Sequence, residues 1–144
     1  MAVVFLDHQE HQDRQAHQGI ARELDQLASV VVDAGLKVHR TLGPGLLESV
    51  YEHCLAREFE LRGVASRRQV GLPITYEGMI LEAGYRLDLL VGDAIIIEVK
   101  AVEALTRLHE AQMLTYLRLS KRRLGFLMNF NVVLFRDGLK RLVR

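Results

Sequence analysis

LDLLVGDAIIIEVK, residues 87–100, is the stretch on which the fold turns. Residues 94–99 are apolar and largely β-branched up to Glu98. Such a run is too short for a helix and suits a strand buried on both faces. Gly92-Asp93 just before it is a turn signal, and the residues upstream, about 79–91, read as the preceding strand. Folded back about that turn, the two strands bring Asp88 level with Glu98. Glu98 and Lys100 are two apart, so their side chains leave the same face.

Upstream of this pair, residues 67–76 read as a strand that Pro73 interrupts, which assigns it to a sheet edge. Glu77-Gly78 is a further hairpin signal. Before these strands the period changes. Ile20, Leu24, Leu27, Val31, Ala34 and Val38 recur at helical spacing, so a helix is expected over about 20–42, and Gly43-Pro44-Gly45 stops it. Leu47, Val50, Tyr51, Cys54, Leu55 and Phe59 mark a second helix over about 46–62, with Gly63 suited to its C-terminus. Downstream, a third helix is expected over about 105–119, then strands over about 124–129 and 132–136, with residues 139–143 able to pair as well. The order is α-α-β-β-β-α-β-β, an α/β fold with a mixed β-sheet flanked by helices. Residues 19–144 form one domain in this reading, and residues 1–18 are an N-terminal tail, disordered or a helical extension.

The bulk properties agree with a folded domain. The chain has 144 residues, of which 49% are hydrophobic and 26% charged, enough to bury a core. One cysteine, Cys54, excludes an internal disulfide framework and fits a reducing compartment. No apolar run approaches the roughly 20 residues of a membrane span, and the apolar residues 3–6 turn polar at once. The expectation is a soluble, cytoplasmic protein. A net charge of +1 does not by itself announce nucleic-acid binding. Basic clusters at Arg67-Arg68, Lys121-Arg122-Arg123 and Lys140-Arg141 with Arg144 could contact phosphates, or simply form a solvated surface.

Asp88, Glu98 and Lys100 carry the sharpest chemistry. Two carboxylates and an ammonium meet at the rim of a buried sheet. Hard cations such as Mg²⁺ take oxygen ligands of this kind, and a lysine beside them can orient water and offset charge on a phosphate. An ordinary cross-strand ion pair would use the same residue types. The apolar run before Glu98 favours the metal reading, because charges are seldom buried without a partner. Glu48 lies one turn before Tyr51 on the second helix, where it could reach the same metal or merely favour the helix dipole. Gln112 and Tyr116 share a helix face and could hold a nucleotide or brace the lysine, or simply belong to the core boundary. His39 just precedes the turn that presents Glu48 and could approach the cleft. A surface or capping role also suits it and His109.

Together these residues resemble a known family. Gly45-Leu46-Leu47-Glu48-Ser49-Val50-Tyr51 matches the G-x-x-E-x-x-Y signature of the small bacterial and archaeal GxxExxY proteins. The segments His39 to Gly45, Gly84 to Leu90, Glu98 to Glu103, His109 to Gln112 and Asn129-Phe130-Asn131 are similar to that family as well, and the likeness runs from about residue 20 to the C-terminus. The family is grouped with the PD-(D/E)XK nucleases, so the resemblance implies a restriction-endonuclease-like core. It implies that Glu48 is the first-helix acid, Asp88 the second motif, and Glu98 with Lys100 the E-x-K. It matches Gln112 and Tyr116 to the Q-x-x-x-Y helix of RecB-like nucleases, which implies processing of DNA ends or single strands. Leu87 stands where the namesake proline would be.

The resulting expectation is a Mg²⁺- or Mn²⁺-dependent nuclease that hydrolyses phosphodiester bonds, with DNA as substrate. Asp88, Glu98, Glu48 and the Val99 carbonyl would hold the metal. Lys100 would activate water, and Gln112, Tyr116 and His39 would position substrate. The alternatives are a nucleic-acid-binding module that does not cut, and an assembly protein joined through the first helix or residues 3–6. For so small a domain a two-fold homodimer or higher homo-oligomer is expected to add contact surface.

Overall fold

The structure is a computed structural model that describes the backbone of residues 2–144 and the side chains from residue 8 onward. The side chains of residues 3–6, offered above as an assembly surface, lie outside the described residues. The chain divides into two compact units, Met1–Val30 and Val31–Arg144.

Helix α1 spans Ala2–Leu42, so among the described residues no break in secondary structure separates the expected tail from the expected first helix. The first unit is the N-terminal part of this helix. Its exposed polar residues pair along the helix, Gln9 with Asp13 at 3.2 Å and Arg14 with Glu10 at 3.7 Å, contacts worth a few tenths of a kcal/mol each.

The second unit holds the sheet. After α2 (Glu48–Leu61) come β1 (Ser66–Gly71), β2 (Ile74–Tyr76), β3 (Met79–Leu81), β4 (Arg86–Val91) and β5 (Ile95–Lys100). Then follow α3 (Arg107–Ser120), β6 (Leu124–Asn129), α4 (Phe135–Gly138) and β7 (Leu139–Val143). The five-stranded sheet has the order β1-β4-β5-β6-β7, and β2 and β3 form a separate two-stranded ribbon. β5 pairs antiparallel with β4 and parallel with β6, and α3 supplies the crossover that parallel pairing requires. The fold is therefore the expected mixed α/β sheet flanked by helices.

β5 and β6 occupy the centre because both of their faces are apolar. Ile95, Ile96, Ile97 and Val99 are fully buried, as are Phe126, Leu127 and Met128 on β6. The two faces are covered from opposite sides. A Cβ on Gly35 of α1 would come within 3.0 Å of Met128 Sδ, whereas one on Gly125 would come within 2.5 Å of Met113 Sδ on α3. Glycine at each place lets a helix approach the sheet closely. Leu87, Leu90, Ile96, Met113, Tyr116 and Leu117 pack together in the core on the α3 side.

The hairpin signals at Glu77-Gly78 and Gly92-Asp93 are real turns, with positive φ at all four residues (46°, 77°, 57° and 53°). Both expected long strands are split. Pro73 separates β1 from β2, and residues 82–84 interrupt the pairing between β3 and β4.

One expected strand is corrected. Residues 132–136 do not form a strand; the chain bends there and enters α4. The edge of β6 is taken by β7, paired from Leu124↔Val143 to Met128↔Leu139. The return is so tight that a Cβ on Gly138 would collide with the Asn129 carbonyl oxygen, a path only glycine permits. The order is thus α-α-β-β-β-β-β-α-β-α-β, not the simpler order expected. No helix among the described residues is long and apolar enough to cross a membrane.

Candidate active site

The β4–β5 ladder runs from Val91↔Ile95 to Leu89↔Ile97 and stops one step before Asp88 and Glu98. Beyond it, side chains replace the backbone as acceptors. The Val99 N–H donates to Asp88 Oδ2 at 2.8 Å, and the Asp88 N–H donates to Glu98 Oε1 at 3.1 Å. Charge-assisted bonds of this type are strong, and they fix both carboxylates at the point where the strands part.

The electrostatics of the pair are unbalanced. Glu98 is 5% exposed. Burial, and then the neighbouring Asp88 carboxylate, push its pKa up to about 8. Burial also raises the Asp88 pKa, and the Glu52 carboxylate adds to that rise. Lys100, at the end of β5 and half-buried, pulls both down but does not restore them. Two acids in contact with too little positive charge nearby hold a proton or take a cation.

Glu48 is the first residue of α2 and is exposed. Its Oε1 accepts from the Ala101 N–H at 3.1 Å, which places it just past Lys100 at the same end of β5. The G-x-x-E-x-x-Y pattern has a physical basis here. Gly43 and Gly45 turn with φ of 70° and 96°. The Tyr51 hydroxyl donates to the Gly43 carbonyl at 2.6 Å and accepts from the Leu46 N–H at 3.1 Å. Tyr51 also stacks on Phe130 with ring centroids 4.5 Å apart. The tyrosine therefore locks the loop that presents Glu48.

On α3, Gln112 Nε2 donates to the Tyr116 hydroxyl at 3.0 Å. The Tyr116 pKa is raised by burial and then by Glu98, with a smaller contribution from Asp88. His39 is placed differently. It is buried, bonded to the Val132 carbonyl at 2.7 Å, and set against Phe130 and Phe135. Its ring braces the 130–135 segment. His109 closes a capping box with Thr106 at the start of α3.

Glu52 and Gln69, which the sequence did not single out, and Asn129, to which it gave no role, complete the surroundings. Glu52, buried one turn after Glu48, accepts from Gln69 Nε2 at 2.8 Å and lies 3.4 Å from Arg68 Nε. Gln69 has φ 53° in the middle of β1, a left-handed conformation that costs energy for a side-chain-bearing residue, between Arg68↔Leu89 and Val70↔Leu87 and so across from Asp88. Asn129, 1% exposed, accepts from the Val102 N–H at 3.1 Å and donates to the Val102 carbonyl at 2.9 Å. It anchors the loop that follows Lys100. Glu52 had one visible signal, an acid between Tyr51 and Leu55 on an otherwise apolar face. The Gln69 conformation had none.

Among the described residues, no three His, Cys, Asp or Glu side chains are grouped as a ready metal set. Glu48 is tied to Ala101 instead of converging fully on the pair. The donor chemistry nevertheless fits a hard divalent cation: oxygen donors alone, with a shortage of positive charge.

Against known proteins, a family model described as the PD-(D/E)XK nuclease superfamily matches residues 25–142. No curated protein and no solved structure matches the chain significantly.

Proposed function

This chain belongs to the PD-(D/E)XK nuclease superfamily, and from that premise we propose that it is a divalent-metal-dependent nuclease acting on DNA. The observation that carries this reading is the Asp88–Glu98 pair at the parted strands, Glu98 buried and Asp88 half-buried, both pKa values raised, with Lys100 at the end of the same strand as Glu98.

In this reading Asp88 and Glu98 hold Mg²⁺ or Mn²⁺, with the Val99 carbonyl and the second carboxylate oxygen of Glu48 as further ligands. A bound cation supplies Lewis acidity at the phosphate and water acidified towards neutrality. Lys100 orients the attacking water and offsets negative charge gathering on the phosphate. Tyr116, with Gln112 on its hydroxyl, braces Lys100 and the phosphate from α3. Asn129 keeps the segment after Lys100 in place. His39 acts at a distance, through the 130–135 segment. Residues 19–144 are the domain that carries this site, and a two-fold homodimer would widen its contact with nucleic acid.

The test is digestion of labelled DNA with Mg²⁺ or Mn²⁺ by the wild type, Asp88→Ala and Lys100→Ala. Equal cleavage by all three would sink the assignment. A second reading, a nucleic-acid-binding module that does not cut, is favoured by the missing three-ligand group among the described residues. Salt-dependent binding without turnover in either metal would select it.

A further inference from the structure

The geometry points to a binding cavity for an unpaired nucleotide beside the carboxylate pair, with the base stacked on Tyr85 and the phosphate held by Arg86. This deepens the nuclease reading and rests on it, by naming single-stranded nucleic acid as the ligand that this cavity engages.

The cavity arises from a dislocation in pairing. β1 and β4 pair down to Gly71↔Arg86, and the Leu72 N–H continues to the Tyr85 carbonyl at 2.8 Å. Pairing resumes at Ile74↔Leu81. Pro73 alone on one side therefore faces residues 82–84 on the other, and Gly84 turns with φ 79°. The excess chain bows out and leaves a cavity of about 490 Å³ lined by Leu72, Pro73, Glu82, Tyr85 and Arg86. That size lies within the roughly 300–1,000 Å³ of small-ligand sites.

Its lining suits a nucleotide. Tyr85 is 50% exposed, an aromatic face open to a partner, and base–aromatic stacking does not depend on sequence. A base can stack on a side chain only when it is free of its own duplex neighbours, which selects single strands. Arg86 is exposed and has no ion-pair partner among the described residues. A guanidinium in that state is suited to bidentate contact with phosphate. Glu82, across the cavity, would repel the phosphate and accept from an exocyclic amino group of the base. Ligand polarity is thereby set, with the phosphate towards Arg86.

The cavity also lies next to the chemistry. Tyr85 is three residues before Asp88 in the chain, roughly 10 Å of extended strand. β4 carries the chain directly from this cavity, at Arg86, to Asp88. A strand whose phosphate sits at the carboxylates would lay a neighbouring base on Tyr85.

The chain contains no tryptophan, so Tyr85→Trp makes a unique reporter in the full-length protein. The probes are a fluorescein-labelled single-stranded DNA 12-mer, its RNA counterpart and the matching DNA duplex, titrated in EDTA so that nothing is cut. Binding of single strands should quench the indole emission of the Tyr85→Trp variant. By anisotropy, Tyr85→Ala should bind single strands about tenfold or more weakly, while Tyr85→Phe stays near wild type. Arg86→Ala should weaken binding and lower the salt slope by about one. The proposal is overturned by any of three results: no single-strand binding, binding that leaves the indole emission unquenched, or wild-type affinity in Tyr85→Ala. A melting curve for each variant separates lost affinity from lost fold. Because no cleavage is measured, Tyr85-dependent binding by a protein that never cuts would defeat the nuclease reading and leave this site standing. Cutting with no role for Tyr85 would do the reverse.

Discussion

Glu58 and Glu98 are both buried glutamates, 8% and 5% exposed, yet they behave in opposite ways. Glu58, on α2, accepts from Lys37 Nζ and from Arg62 Nε, each at 3.0 Å. The Lys37 bond, aided by Arg62, outweighs burial and holds the Glu58 carboxyl below its ordinary range. Arg62 also reaches Asp33 at 2.6 Å, so residues 31–42 of α1 are strapped to α2. Glu98 meets a second acid instead of two bases, and its pKa rises to about 8. Burial alone does not determine what a carboxylate does. A paired acid is a strut, and an unpaired couple is a binding site for positive charge.

The strongest way to break the contrast is to remove the site side. With Asp88→Ala or Lys100→Ala, metal-dependent cleavage should fall by about 10²-fold to 10³-fold or more, measured on labelled DNA, while melting curves show the fold retained.

Sharpening it comes next. Because the folded Glu98 pKa lies above the unfolded value of 4.5, the contribution of Glu98 to the stability of the metal-free protein is fully present below that value. That contribution should be lost as pH rises towards about 8. The loss should amount to a few kcal/mol, roughly 5–10 °C in Tm. Glu98→Gln should flatten this dependence. Mn²⁺ should restore wild-type Tm at high pH and do little for the variant. A difference in Tm between wild type and Glu98→Gln that does not change over that range in EDTA would contradict the account of the pair.

A smaller effect is expected at the strut. Glu58→Gln should cost about 1 kcal/mol, because Lys37 is largely exposed and solvent screens it. The sign with pH is opposite to that of Glu98. The Glu58 pKa is lowered, so the wild-type advantage is present above the ordinary glutamate range and disappears as pH falls through the folded value. Denaturant melts at neutral and acid pH would show the gap close.

Smallest is Glu52→Gln. It removes a charge that raises the Asp88 pKa, so the ascending limb of the pH–rate profile should move to lower pH. An unmoved limb would show that Glu52 supports Gln69 without acting on Asp88.

Much of this contrast was legible in the chain. The Ile95-Ile96-Ile97 run marked the central strand, and Gly92-Asp93 set a register that brings Asp88 beside Glu98. The Glu48-to-Tyr51 spacing put the acid one turn from the aromatic that fixes its loop. These are local signals, readable because periodicity and turn chemistry act over a few residues. Residues 132–136 misled for a corresponding reason. Their continuous apolar run looked like a strand, but β7 takes that sheet edge, and that outcome depends on contacts distant in sequence. The surroundings of His39 were not legible either, since only folding supplied the Val132 carbonyl and the two phenylalanine rings around it.

The sequence by itself therefore determined the elements at the heart of the sheet and the identity of the acids and the lysine. Hydrophobic period and turn residues encode those within short windows. Tertiary structure alone decided that the β4–β5 ladder stops at Leu89↔Ile97 and that carboxylates take over its backbone donors. It also decided that Glu58 finds two bases while Glu98 finds an acid. A side chain's charge state follows from burial and from neighbours brought in by distant segments, and no window of sequence contains those neighbours.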